Sequence, residues 1–127
     1  MYGNQKLSAI RLQSEALLNM NFEADGRIAE VVLSHPLLEK HGADAEDADN
    51  LVERARDIAG VKVSVLYKQA GDLWRVSLRS RADAQNVSEI ATRFGGGGHK
   101  LAAAFRWRRS LEELRPLLMD AIRATLG

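Results

Sequence analysis

Four consecutive glycines, Gly95 to Gly98, run directly into His99, and no other stretch of the chain has more capacity for chemistry. Glycine loses more backbone entropy on folding than any other residue, so four in a row need a use. A flexible linker would be flanked by serines or further glycines. Here Phe94 and Leu101 bracket the glycines with core-type side chains, so the loop is tied at both ends inside a domain. One use is a phosphate cradle. Left-handed backbone angles aim successive N–H groups at one point as an anion nest, and the missing side chains let a ligand approach the main chain. His99 adds a side-chain donor at the exit, and a helix beginning there would favour the same anion. Arg79 and the neighbouring arginines supply planar, bidentate phosphate recognition. The other use is a tight crossing of two elements that pack too closely for a β-carbon. Spacing alone leaves both open. A Walker loop is excluded, because no Lys-Ser or Lys-Thr pair follows the glycines.

The remaining polar residues carry less. His35 and His41 are six apart, the wrong spacing for one helix face, and no histidine belongs to a metal-ligand pattern. No Asp/His cluster resembles a two-metal site, and there is no Ser/His/Asp signature. No catalytic residue and no metal ligand is therefore assigned. The carboxylates between Asp44 and Asp57 read as a solvated helix face. The absence of cysteine excludes disulfides and thiolate sites and fits a cytoplasmic protein. No apolar run approaches the roughly 18 residues of a membrane span, and the first residues lack the apolar core of a signal peptide. The net charge of +1 hides a division: residues 61–109 sum to +7 and residues 21–60 to −6. A basic segment beside an acidic one suggests that one part faces an anion.

The elements that must position these residues are legible as periodicities in the 127-residue chain, a length that suits one domain. Leu7, Ile10, Leu12, Leu17 and Leu18 predict an amphipathic helix over 6–20. Asp25-Gly26 between Phe22 and the apolar run Ile28 to Leu33 predicts a hairpin. Ser34 caps a short helix 35–41, with Pro36 in its first turn and Gly42 as its stop. Residues 44–59, acidic first and basic later, predict one helix oriented with its macrodipole. Val61, Val63, Val65 and Tyr67 alternate with polar residues, as do Trp74, Val76 and Leu78 with Arg75, Ser77 and Arg79. Both runs predict strands with one buried face, and the second carries its arginines on the other face. Asn86 opens a helix to Phe94, a basic strand follows at 104–109, and Ser110 caps a last helix with Pro116 inside it. The expected fold is a single α/β domain. Its mixed sheet, from roughly 22–33, 61–68, 73–81 and 104–109, is flanked by helices, with the glycine-rich loop after a short helix.

Three motifs in this order, Ser77-Leu78-Arg79-Ser80, Val87-Ser88-Glu89-Ile90-Ala91 and Phe94-Gly95-Gly96-Gly97-Gly98-His99-Lys100-Leu101-Ala102-Ala103, resemble the DHH-associated C-terminal domain of DHH-family phosphoesterases. The likeness is strongest to the oligoribonuclease and phosphoadenosine-phosphate phosphatase branch, also labelled exopolyphosphatase-related. It extends upstream through Gly26-Arg27-Ile28-Ala29 and the acidic segment. Residues 21–127 then correspond to the substrate-binding domain, and residues 1–20 resemble the helix that connects it to a preceding domain. In one place the chain departs from the family: Ala104 stands where a glycine usually follows the two alanines. If that position needs a positive backbone angle, alanine is strained there.

The resemblance implies a division of labour. In the family an N-terminal domain bears an Asp-His-His motif, binds two divalent metals, typically manganese, and activates water. The C-terminal domain closes over a short RNA, a dinucleotide or a nucleoside bisphosphate. Carried over residue by residue, Gly95, Gly96, Gly97, Gly98 and His99 would hold a phosphate near those metals, and Arg79 with Ser80 would grip the nucleotide. These 127 residues contain no Asp-His-His triplet. The chain is thus expected to bind no metal cofactor and, alone, to hydrolyse nothing. Two other functions compete: a tRNA-binding or editing module related to alanyl-tRNA synthetase, and a non-catalytic interaction domain.

Overall fold

The computed structural model describes residues 6–48 and 50–127. Within them the chain forms a single α/β domain, a six-stranded mixed sheet with five α-helices. The first helix, α1 (Leu7–Leu18), is followed by β1 (Asn21–Glu23) and β2 (Ile28–Leu33), the expected antiparallel hairpin. Its loop is longer than two residues: Ala24, Asp25 and Gly26 all take positive φ before the strand resumes. Ser34 then caps α2 (His35–His41) by accepting the Leu37 N–H, and left-handed Gly42 stops it.

The acidic segment is not the one helix expected over 44–59. A 3₁₀ turn (Ala45–Ala48) and α3 (Leu51–Arg56) are separated by Asn50, which sits at φ 67°. The cause is local competition for the backbone. The Asp47 carboxylate accepts the Asp44 N–H at 3.0 Å and the Asp44 carboxylate accepts the Glu46 N–H at 3.1 Å, so short acidic side chains satisfy groups a helix would use. Asp49, counted with this acidic run, lies outside the described residues, as do residues 1–5 of the expected connection.

Strands β3 (Val63–Ala70) and β4 (Leu73–Ser80) pair antiparallel around left-handed Gly71. Asn86 caps α4 (Val87–Arg93) by accepting the Glu89 N–H. The glycine run then yields an unexpected strand, β5 (Gly97–His99), which turns through Lys100 and Leu101 into β6 (Ala102–Trp107). Ser110 caps α5 (Leu111–Leu126), which runs on through Pro116. The proline lies on the exposed side, so the backbone group it leaves unpaired belongs to a turn facing water.

The strand order is β1-β2-β3-β4-β6-β5, with β2 and β3 parallel and every other pair antiparallel. Each face carries its own core. On one, Ile28, Val65, Tyr67, Val76, Leu78 and Phe105 pack under α4 and α5. On the other, Ala29, Val31, Leu33 and Leu66 pack under α1, α2 and α3. Helix α1 buries the stripe Ala9, Leu12 and Ala16, whereas Leu7, Ile10 and Leu18, read as part of its apolar face, are exposed.

At the rim of the first core lies a buried polar cluster. The Glu30 carboxylate accepts from Tyr67 Oη at 2.6 Å, from Asn21 at 2.7 Å and from Nε and Nη2 of Arg115 at 3.2 and 2.9 Å. Burial pushes the Glu30 pKa up. The hydrogen bonds from Arg115, Tyr67 and Asn21, together with the Arg115 charge, outweigh it and hold the carboxyl below its ordinary range. Burial, and then the neighbouring carboxylate, push the Tyr67 hydroxyl up, so it stays a donor.

Candidate phosphate-binding face

The helices α1 to α3 cover their side of the sheet only as far as β4. Beyond it, the face made by β4, β6 and β5 is open: Arg75, Ala104, Arg106 and His99 are exposed there. Register fixes what lines this open face. Arg79 pairs with Ala102 and Ala102 with His99, so Arg79 and His99 share one transverse row with an alanine between them. Two strand spacings separate them, about 10 Å between backbones. The next row on the same face is Ser77, Ala104 and Gly97; the one after is Lys68, Arg75 and Arg106. The result is a low floor of Ser77, Ala102, Ala104 and Gly97 walled by cations and an imidazole.

Of the wall residues, Arg79 is held in place by its neighbours. Arg79 Nε lies 3.5 Å from the Glu53 carboxylate of α3, and its Nη1 donates to the Leu78 carbonyl at 2.9 Å. Two contacts leave most of the five guanidinium donors free, and they aim the fork rather than consume it. Arg79, Glu53, Lys68 and Ser77 line a cleft of ≈ 530 Å³ between α3 and the sheet. Across the Ser77–Ala104 pair lies a second cleft of ≈ 330 Å³, lined by Arg75, Gly95, Gly96, Ala104, Phe105 and Arg106. His99 is exposed and its ring has no hydrogen-bond partner among the described residues.

Ser80 is not brought to this face. It lies buried on the opposite side of β4, where its hydroxyl donates to the Lys100 carbonyl at 3.2 Å and its N–H to the Leu101 carbonyl at 3.0 Å. It ties the turn after His99 to the end of β4.

The glycines divide by what the fold demands of each. Gly95, at φ 88°, donates its N–H to Thr92, and Gly96 donates to Ala91, the paired bonds of a Schellman ending to α4. Those two N–H groups are therefore committed to the helix and form no anion nest. A β-carbon on Gly96 would lie 2.1 Å from the Ala104 carbonyl oxygen, and one on Gly98 2.5 Å from that of Ala102. Both are close crossings. Gly97 has no positive φ, and a β-carbon there meets nothing within 4 Å. The tight-crossing use thus accounts for Gly96 and Gly98 and leaves Gly97 unexplained. No helix begins at His99; the chain turns back into β6 instead. Ala104 sits in regular strand without positive φ, so alanine is unstrained there.

Sequence reasoning missed Arg106, Lys68 and Glu53. The strand alternation that marked Arg79 would have placed Arg106 beside Ala102 and Ala104, but strand order was needed to bring it against Arg75. Among the described residues, no group of three or more His, Asp or Glu could hold a metal ion, and no helix is long and apolar enough to cross a membrane.

Comparison with known proteins places the chain among its relatives. The chain is 34% identical over 120 residues to the bifunctional oligoribonuclease and PAP phosphatase NrnA of Thermus thermophilus, covering 94% of this chain and 35% of that protein. It is 31% identical over 98 residues to the protein of the same name from Bacillus subtilis, covering 77% and 30%. The chain thus spans about a third of the length of these relatives. A crystal structure of an exopolyphosphatase-related protein from Bacteroides fragilis superposes with a TM-score of 0.88 at 24% identity, over 97% of this chain and 36% of the other. The C-Ala domain of Aquifex aeolicus alanyl-tRNA synthetase shares the fold more loosely, with a TM-score of 0.58 at 18% identity over 75% of this chain and 89% of that one. The DHHA1 domain family model matches residues 26–127, and the chain belongs to that family.

Proposed function

We propose that the open face of β4, β6 and β5 is the substrate-binding face of a DHH-type phosphoesterase, in which it holds a phosphate of a short RNA, a dinucleotide or a nucleoside bisphosphate. Its partner in this reading is a metal-bearing DHH domain in the same cytoplasmic enzyme. That domain would supply two manganese ions and the activated water. The residues of this chain bind and orient: Arg79, aimed by Glu53, takes phosphate oxygens bidentately, and His99 donates from the far side of the same row. The main chain at Gly97 allows the ligand to lie flat between them. Ser80 acts at one remove, by fixing the turn that carries His99.

The observation that carries this reading is Gly97, the one glycine of the four for which neither φ nor packing gives a reason. A ligand lying on the floor is such a reason. Gly97→Ala therefore separates ligand approach from folding. The substitution is expected to leave the domain as stable as before, or more stable by about 0.4–1 kcal/mol through the unfolded state, while nucleotide binding weakens. Thermal denaturation and nucleotide titration measure the two. Arg79→Ala and His99→Ala should each weaken the same binding; if neither does, those assignments are wrong.

A further inference from the structure

Beyond Arg79, a second group of cations on the open face has no structural employment. Lys68 is directly opposite Arg75, and Arg75 directly opposite Arg106, so three positive charges stand side by side across three strands. Like charges in opposing positions destabilise a sheet. The ion pairs of this region go elsewhere: Arg79 to Glu53, Arg108 to Asp72 and Arg109 to Glu113. Lys68, Arg75 and Arg106 have no carboxylate partner among the described residues. A fold that tolerates this repulsion without relieving it gains something from a ligand.

Their placement says which ligand. Arg79 and Arg75 are four residues apart on one strand, about 13 Å along the floor. They line different clefts, and no residue lines both. Arg79 leans toward α3 and Glu53, and Arg75 toward Gly95, Gly96 and Arg106. One phosphate held by Arg79 is out of reach of the second cleft. The clefts meet where Ser77 faces Ala104, two small residues that leave the passage between them low.

We infer that Arg75 and Arg106 form a second anion subsite, which takes a distal phosphate of a single-stranded oligonucleotide whose near phosphate lies against Arg79 and His99. This rests on the substrate-face reading and adds to it a chain-length preference: ligands with one phosphate use the Arg79 cleft alone, and longer strands run along β4 and β6 into the second. No stacking is invoked, because Trp74 and Trp107 belong to the opposite face of the sheet.

The test titrates the 127-residue chain with adenosine 5′-monophosphate and with a 5′-phosphorylated five-nucleotide oligoadenylate, followed by amide chemical shifts so that millimolar binding is visible. The double variant Arg75→Ala/Arg106→Ala should bind the oligoadenylate roughly 10-fold more weakly and with a salt slope lower by about 1–2, the number of phosphate contacts removed. Its affinity for the monophosphate should stay within twofold. Both arginines are exposed, so its melting temperature should not fall. Equal losses for the two ligands, or no loss for the oligoadenylate, overturn the inference. If Arg79→Ala and His99→Ala also change nothing, the substrate-face reading fails with it. If they weaken both ligands while the double variant does not, only the second subsite is lost.

Discussion

Gly96 and Glu30 show how differently single residues are constrained here. At Gly96 the constraint is space. Its missing β-carbon is filled by the Ala104 carbonyl and Phe105, both in a paired strand that has little freedom to yield. Gly96→Ala should cost about 1–3 kcal/mol or more, as overpacking does in cores. Denaturant unfolding would show a loss that Gly97→Ala lacks. At Glu30 the constraint is charge. Its carboxyl is depressed in the fold, so its contribution to stability is complete above the unfolded pKa, about 4.3, and is lost as pH falls through the lower folded value. Glu30→Ala leaves Tyr67 without its acceptor and Arg115 without its partner, at a cost of about 3 kcal/mol near neutral pH. Unfolding measured from pH 7 to pH 3 should show the gap between wild type and variant narrowing only below about pH 4. A gap independent of pH would mean that the carboxylate's charge is not what stabilises the cluster.

Among the elements, the ends of helices were the most legible in sequence. Ser34, Asn86 and Ser110 cap where their types and spacing require, because a cap is a contact over three residues. The strands were legible from their alternation. The division of 44–59 was not, because the side-chain bonds of Asp44 and Asp47 compete with helix in a stretch whose charge order favours helix. Strand β5 was hidden for another reason: glycine has no side chain to alternate, so Gly97–His99 carries no period. Its pairing with β6 is a tertiary fact. The candidate site was half legible. Arg79 and His99 could be named, but that they share a row, and that Ser80 faces the other way beneath the turn, followed only from register. The helix ending at the loop makes its own prediction. Gly95→Ala forces a left-handed alanine at the Schellman position and should cost about 1–2 kcal/mol. Melting temperature reports the loss, and because this N–H serves α4 and the residue lies outside the Arg79 cleft, affinity for a mononucleotide at temperatures where the variant is folded should change little.

For the whole molecule, the basic and acidic segments of the chain are arranged about the same sheet. The acidic residues accompany α2 and α3, which cover β2 and β3, while the basic strands β4 and β6 are left open. An anion approaching the open face would therefore meet a field that salt should screen. Affinity for short RNA is expected to fall steeply between low and physiological salt, and a flat response would remove this face as the binding surface. With no Asp-His-His triplet in the sequence, incubation of the pure 127-residue chain with manganese and a short oligoribonucleotide should leave the RNA intact. Turnover that survives further purification would contradict the division of labour proposed.

The two outermost strands, β1 and β5, are three residues each, whereas the four between them have six to eight. A ladder so short offers few unpaired groups to a neighbouring chain, and at β5 two of the three residues are glycine. The sheet is thus closed to lateral growth at both sides, by brevity at β1 and by a strand poor in β-propensity at β5. Other chains find no template at the edges, and a ligand finds the open stretch of β4, β6 and β5 unobstructed.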